Sequence, residues 1–77
     1  MSDQLLRECI EGVSGIISRV DGTHLFSSRL HELGVVPGEW VRILRKGNPT
    51  LLQVGESRFC IQSDLLDGIT FVPVHEG

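Results

Sequence analysis

Two cysteines and three histidines are the side chains in this sequence best suited to metal or redox chemistry. Cys9 and Cys60 lie far apart, with no CxxC spacing and no neighbouring histidine. His24, His31 and His75 lack the i, i+4 spacing that places two ligands on one face of a helix. The sequence therefore contains no zinc or redox motif, and we predict neither a metal site nor a cofactor.

Two interpretations of these residues remain open from sequence alone. In the favoured one, the histidines are solvated or cap helix ends, and both thiols are reduced, at least one packing as a small hydrophobe. In the other, folding assembles a ferrous-iron site from the histidines with help from Glu32 and Cys9.

Catalytic motifs are also missing. Covalent catalysis needs a serine or cysteine beside a positioned base, and no spacing in the chain indicates such a pair. The segment Gly12-Val13-Ser14-Gly15 lacks the Lys-Ser/Thr ending that grips a nucleotide phosphate, so it predicts a tight turn. We predict no catalytic residues and a protein that is not an enzyme.

A tryptophan and an arginine on one predicted strand favour a binding function. If Val41 and Ile43 face the core, period-two alternation places Trp40, Arg42 and Leu44 on the opposite face. Trp and Arg are enriched in interface hot spots. We predict that Trp40, Arg42 and Leu44 contribute to a partner-binding surface. The alternative is that the helix or the amino-terminal segment covers Trp40 as secondary core.

A second candidate surface lies on the only predicted helix, residues 26–33. Its apolar stripe has i, i+4, i+7 spacing and is predicted to be core: Phe26, Leu30 and Leu33. Its outer side carries three polar residues: Arg29, His31 and Glu32. These three are candidates for docking on a larger protein, although a charged helix face is often simply solvated.

Length, composition and charge restrict the class of protein. Seventy-seven residues, 40 % of them apolar, suffice for one domain, which we assign to residues 1–77. The net charge of −3 argues against nucleic-acid binding, which needs a Lys/Arg-rich face. No run approaches the ~18 apolar residues of a membrane span, and the first residues lack a secretory pattern. We expect a cytoplasmic protein that binds no nucleic acid and does not insert into a membrane.

Short apolar runs separated by glycine and proline predict a mainly β fold. The five predicted strands cover residues 16–20, 39–45, 51–54, 58–62 and 69–72. Leu5, Leu6 and Ile10 are expected to pack one edge as a short strand or turn. Ser63 is predicted to cap a short helical turn before the last strand. A small, partly open barrel would cover the apolar face and most strand edges.

The turn signals around the predicted helix are the most specific local feature. Gly34 is placed for a left-handed C-terminal cap, and Pro37-Gly38 predicts a type II turn. They belong to a longer signature: Gly12, Gly15, Ile17, the segment LHELGVVPG over residues 30–38, Val41 and Ile43. This pattern resembles the FeoA family, and the resemblance covers roughly residues 5 to 74.

The resemblance implies an SH3-like barrel of about five strands, with one helix after the first strand and a helical turn before the last. It also implies a cytoplasmic accessory role in ferrous iron transport, in which the protein binds and modulates a FeoB-type membrane GTPase. Through that partner the protein would lie at the inner face of the membrane.

Two rival functions stay open. The same barrel forms the carboxy-terminal domain of metal-dependent repressors of the diphtheria-toxin (DtxR) type, so a regulatory domain is the first alternative. We expect no helix-turn-helix domain before this one, which would favour a free-standing adaptor. A nucleic-acid-binding barrel is the second alternative, and the acidic charge argues against it. The sequence does not decide whether the protein forms a weak homo-oligomer through an open barrel edge.

Overall fold

The computed structural model describes residues 3–22 and 27–74. In these ranges the chain forms six strands, one α-helix and two 3₁₀ helices. The strands and the α-helix, in chain order, are β1 (Gln4–Leu5), β2 (Ser14–Val20), α1 (Ser27–Glu32), β3 (Trp40–Arg45), β4 (Thr50–Val54), β5 (Ser57–Ile61) and β6 (Ile69–Pro73). The 3₁₀ helices are Leu6–Glu8 and Ser63–Gly68. The fold is mainly β, as the sequence predicts.

All six strands belong to one antiparallel sheet in the order β1-β6-β2-β3-β4-β5. The sixth strand, beyond the five predicted, is β1, which pairs with β6 where the sequence indicated a short strand or turn. Leu6 is fully buried there, but Ile10 is 72 % exposed and does not pack the edge as expected. The sheet order leaves β1 and β5 as the two edge strands.

The core lies on one face of the sheet because apolar residues alternate along each strand. Val41 and Ile43 of β3 are fully buried. Leu52 of β4 is also fully buried, as are Ile69 and Phe71 of β6. The remaining buried apolar side chains are Leu6, Cys9, Ile17, Leu30, Val35, Val54, Ile61 and Leu66. The prediction that Val41 and Ile43 share the buried face of β3, and Leu52 and Val54 that of β4, is therefore confirmed.

The helix and the two turns after it place the start of β3. The N–H of Val35 donates to the carbonyl of Leu30 at 2.9 Å, and the N–H of Gly34 donates to the carbonyl of His31 at 3.0 Å. This bond pair is the Schellman motif, and it requires the positive φ of 88° that Gly34 adopts. Leu30 and Val35 are both buried beside the cap. The predicted Gly34 cap is confirmed, whereas Phe26 of the predicted stripe lies outside the described residues.

The Pro37-Gly38 turn is also confirmed. The N–H of Glu39 donates to the carbonyl of Val36 at 3.1 Å, and Gly38 has a φ of 93°, as type II geometry requires. The N–H of Gly38 then donates to the carbonyl of Ile17 at 2.8 Å. The turn thereby aligns β3 with β2, which fixes the side-chain neighbours of Trp40.

The cap of the second 3₁₀ helix differs from the prediction. The capping position is Gln62, and no side chain of that residue caps the helix. Ser63 is already helical, and its N–H donates to Oδ1 of Asn48 at 3.3 Å. The prediction that Ser63 caps this helix is wrong because a side chain from the β3–β4 loop, distant in sequence, takes over the role.

Candidate partner-binding surface

The face of the sheet opposite the core is formed by residues that alternate with the buried ones, and we call it the outer face. Its members include Ile16 of β2, Trp40 and Arg42 of β3, Leu51 and Gln53 of β4, Arg58 and Cys60 of β5, and Val72 of β6. The structure therefore places Trp40 and Arg42 on one side of β3, with the fully buried Val41 and Ile43 on the other.

An apolar stripe crosses the outer face at Trp40. Trp40 lies opposite Ile16, and Ile16 lies opposite Val72 on the next strand. Ile16 is 37 % exposed, while Trp40 and Val72 are half-buried. The partly buried apolar side chains that pack against the core are Val13, Val20, Leu33, Phe59 and Leu65. Trp40 is not among them, so in the described part of the chain it belongs to the outer face and not to the core.

Glu39 and the β4–β5 turn fix the backbone of Trp40. The carboxylate of Glu39 accepts the N–H of Trp40 at 2.9 Å, and the N–H of Gly55 donates to the carbonyl of Trp40 at 2.9 Å. Both backbone groups of Trp40 are thus satisfied at the beginning of the strand. A backbone that is fixed before binding has less conformational entropy to lose when a complex forms.

A row of arginines runs beside the apolar stripe. Arg42 lies opposite Gln53, and Gln53 lies opposite Arg58. The two arginines are therefore on strands about 10 Å apart, with the neutral Gln53 between them. Arg45 follows at the end of β3. Within residues 3–22 and 27–74 the one ion pair is Arg7 with Asp67, at 3.7 Å. The arginines of this row therefore have no acidic partner in the described part of the chain.

The strands carry charge of one sign. Among the described residues, the six strands contain four arginines and no aspartate or glutamate, although the whole chain has a net charge of −3. The acidic side chains lie in turns, loops and helices. A partner that approaches the outer face therefore meets positive charge beside apolar surface.

A shallow groove lies next to Arg42, between the start of β2 and the end of β6. Its volume is about 490 Å³. Its lining residues are Gln4, Gly12, Val13, Ser14, Arg42, Pro73 and Val74. The N–H of Val74 donates to the carbonyl of Ser14 at 2.9 Å, and the side chain of Val74 is 45 % exposed. The groove extends the apolar and basic character of the outer face toward the chain end.

Leu44, the third predicted residue on β3, occupies an irregular position. The register between β3 and β4 shifts between Ile43 and Arg45, so Leu44 has no direct partner on β4. Its side chain is half-buried. The simple alternation that assigned it to the same face as Trp40 is interrupted there, and the structure gives Leu44 no defined position in the stripe.

The helical candidate surface is separate from the outer face. Arg29, His31 and Glu32 are all exposed on α1 or its last turn. His31 lines a second shallow groove of about 330 Å³ together with Val36 and Pro37. In the described ranges, no hydrogen bond or ion pair connects these three residues to Trp40 or Arg42.

The two cysteines have different environments, and the prediction of at least one packed thiol is confirmed. Cys9 is buried, and its thiol donates to the carbonyl of Leu5 at 3.3 Å, whereas Cys60 is exposed on β5. Burial raises the pKa of the Cys9 thiol, and the nearby Lys46 partly opposes this effect. A buried, protonated thiol is a poor nucleophile and a poor metal ligand.

The described residues contain no group of three His, Cys, Asp or Glu side chains placed to hold a metal ion. His24 and His75 lie outside these residues, and His31 is exposed on the helix. None of the helices in the described ranges has the length and apolar character needed to cross a bilayer.

Sequence reasoning did not identify Ile16, Val72 or Arg58 as members of this surface. Their strands were predicted, but membership of one patch depends on register between strands distant in the chain. Gly15 was the available signal, since a glycine that packs closely against β6 fixes the neighbouring Ile16 to the opposite face.

Comparison with solved structures gives close overall matches. An iron uptake regulatory protein, FeoA, superposes with a TM-score of 0.85 at 25 % identity over 95 % of this chain and 100 % of its own. The zinc-complexed FeoA of Stenotrophomonas maltophilia, described as a prokaryotic SH3 domain protein, has 32 % identity and a TM-score of 0.76, over 92 % of this chain and 89 % of its own. The fold is therefore SH3-like.

Another solved structure also shares this fold. The IdeR protein of T. acidophilum superposes with a TM-score of 0.85 over 96 % of this chain and 35 % of its own, at 19 % identity, a level that shows the fold alone. No curated protein sequence matches the chain. The model of the FeoA domain matches residues 4–72, nearly the whole length. The chain therefore belongs to the FeoA domain family.

Proposed function

We propose that this protein is a non-enzymatic accessory protein of ferrous iron transport, and that it binds and modulates a FeoB-type membrane GTPase. It acts from the cytoplasm and reaches the inner face of the membrane through that partner. Membership of the FeoA family supports the link to iron transport. The identity of the partner comes from the family resemblance and from no contact in the structure.

The observation that carries the proposal is the pairing of Trp40 with Ile16 beside Arg42 on the outer face. The tryptophan is half-buried, the isoleucine is 37 % exposed, and the arginine has no ion pair among the described residues. Buried aromatic anchors and arginines dominate the energetics of protein interfaces. A surface with these three side chains in adjacent positions is suited to protein recognition.

The charge of the strands defines the chemistry of the contact. Arg42, Arg45 and Arg58 favour a partner segment that carries carboxylates, and the stripe at Trp40 favours an apolar side chain next to them. Complementary charge accelerates association and selects the orientation of the complex. We therefore propose that the partner presents an acidic segment with at least one apolar residue.

The helix surface is the second docking candidate. Arg29, His31 and Glu32 are exposed there, but the surface is mixed in charge and its groove is small. Solvated helix faces commonly have this composition. We assign it the role of a flanking contact and treat it as a separate arm of the experiment.

A regulatory role in a DtxR-type repressor system is the alternative function. Its support is the fold shared with the T. acidophilum IdeR structure, in which the match covers 35 % of that chain. Under this alternative the outer face would bind a DNA-binding protein instead of a transporter. Both functions use a protein partner, so the two are separated by the identity of the partner that binds.

Binding to a purified FeoB-type GTPase from the same cell, reconstituted in lipid nanodiscs, tests the proposal. We expect saturable binding that Trp40→Ala and Arg42→Ala weaken, while Arg29→Ala has a smaller effect. Arg19→Ala is the charge-matched control for Arg42→Ala, since Arg19 is exposed near the end of β2. Absence of binding to the GTPase, together with binding to a repressor, would establish the alternative.

A further inference from the structure

Strand β5 ends the sheet with an open backbone edge. The β4–β5 hairpin turns through Gly55-Glu56, and Val54 pairs with Ser57 at its closed end. Gly55 has a φ of 58° at the first turn position, as two-residue hairpins of type II′ require. The closing pair of such a hairpin is hydrogen-bonded, and hydrogen-bonded pairs alternate along an antiparallel ladder.

This alternation determines which backbone groups of β5 do not bond to β4. Ser57, Phe59 and Ile61 direct their N–H and C=O groups toward β4. Arg58 and Cys60 therefore direct theirs away from the sheet. The same parity holds across β3, where the N–H of Ile43 donates at 3.0 Å to the carbonyl of Val13, the residue before β2.

No described residue bonds to the outward backbone groups of Arg58 and Cys60, and both side chains are exposed. An unpaired row of N–H and C=O groups is a template for another strand. The opposite edge, β1, has two residues and offers little length for pairing. As far as the structure describes the chain, the outward edge of β5 is therefore the place where this sheet can be extended.

A second copy of β5 can pair there in antiparallel orientation, and three registers keep the outer faces on the same side. Centring on Arg58 places two arginines opposite each other, which is repulsive. Centring on Cys60 pairs Arg58 with Gln62, a residue beyond the end of the strand. Centring on Phe59 places Arg58 of each copy opposite Cys60 of the other. All hydrogen-bonded positions then lie inside β5.

We propose that the protein self-associates through antiparallel pairing of two β5 strands centred on Phe59. The two hydrogen-bonded pairs supply four backbone hydrogen bonds, and the two Phe59 side chains lie opposite each other. The strand has five residues, so the interface is small and the dimer is weak. Pairing joins the outer faces of both copies and brings their Arg58 side chains onto one continuous sheet surface.

Charge substitution at Cys60 tests the register, because this exposed position faces Arg58 of the second copy. Cys60→Glu creates two opposite-charge pairs, and we expect dimerisation about 2- to 30-fold tighter. Cys60→Lys weakens it by a similar factor, and Cys60→Ser is the control. Sedimentation equilibrium from micromolar to millimolar protein, with reducing agent and low salt, measures the constants. A Cys60→Glu protein that associates more weakly than wild type would overturn the register centred on Phe59. That result is the one expected for a register centred on Cys60, which places the two new carboxylates opposite each other.

Disulfide trapping provides an independent measurement. Facing Cα atoms in a hydrogen-bonded pair are about 5.5 Å apart, within reach of a disulfide, whereas diagonal neighbours are about 7–8 Å apart. The double variant Arg58→Cys/Cys60→Ser, mixed with wild type and mildly oxidised, is expected to give a covalent heterodimer. Neither protein alone should cross-link. Cross-linking of wild-type Cys60 to itself, or a strictly monomeric protein at millimolar concentration, would overturn the proposal.

Discussion

Trp40 and Ile16 lie directly opposite each other on β3 and β2, and the backbone N–H and C=O of Trp40 do not bond to Ile16. The carbonyl of Trp40, for example, accepts the N–H of Gly55 at 2.9 Å. In such non-hydrogen-bonded pairs the Cα atoms approach to about 4.5 Å, and the side chains pack closest. The half-buried indole therefore rests against an isoleucine that is 37 % exposed, and together they form the apolar centre of the outer face.

Trp40 is the sole tryptophan, so its fluorescence reports on this pair. We expect Ile16→Ala to shift the emission of the free protein to longer wavelength, because removing the isoleucine exposes the indole to water. The same variant should bind the partner several-fold more weakly. Partner binding should shift the emission of the wild type to shorter wavelength, and an unchanged spectrum at saturation would place the interface elsewhere.

Charge reversal at Arg42 tests the proposed acidic character of the partner. We expect Arg42→Glu to slow association with the GTPase and to reduce the dependence of the association rate on salt, since a complementary pair becomes repulsive. Stopped-flow or biolayer measurements at two ionic strengths give these rates. Arg19→Glu, at the exposed end of β2, is the control for net charge. Equal slowing by both variants would indicate a long-range effect of charge and no local contact.

A glycine is required at position 15, where β2 packs closely against its neighbour β6. A Cβ at this position would clash with the carbonyl oxygen of Val72 and lie 2.7 Å from a ring carbon of Phe71. We expect Gly15→Ala to lower the free energy of unfolding by about 1–3 kcal/mol, because the two strands must separate. Urea denaturation measures this change. Gly22→Ala meets nothing within 4 Å and should change stability by less than half as much.

The buried thiol of Cys9 makes stability depend on pH in the alkaline range. Burial raises its pKa in the folded state above the ordinary value of 9.0, while the unfolded chain ionises near that value. As the pH rises above 9.0, the unfolded state loses its proton first, so the free energy of unfolding falls. Wild type should lose more stability than Cys9→Ala between pH 8 and pH 10.5, as measured by urea denaturation at each pH. Parallel pH profiles for both proteins would contradict this assignment.

Local signals predicted the parts of the fold that depend on short-range chemistry. Gly34 and Pro37-Gly38 have the backbone geometry that their residue types require, and Val41 and Ile43 are buried as alternation predicts. The same alternation placed Trp40 on the face opposite Val41 and Ile43, where the structure has it, while its role in binding stays a prediction. These predictions succeed because a turn or a strand face depends on a few consecutive residues.

Long-range contacts were outside the reach of the sequence. Ile16 could not be assigned to the patch of Trp40 without the register between β2 and β3. The cap at Ser63 comes from Asn48, fifteen residues earlier. Strand β1 has two residues, too few to show alternation, and exists because β6 offers it a partner. Each miss concerns a contact formed only after the chain has folded.

The most direct test of the proposed function is the affinity of Trp40→Ala for the FeoB-type GTPase. Removal of a central aromatic anchor costs about 2 kcal/mol or more, so we expect at least about 30-fold weaker binding by isothermal titration calorimetry. The unfolding midpoint of the variant, measured in parallel, establishes that it is folded under the titration conditions. A folded Trp40→Ala protein that binds the GTPase with wild-type affinity would contradict the assignment of the outer face as the partner-binding surface.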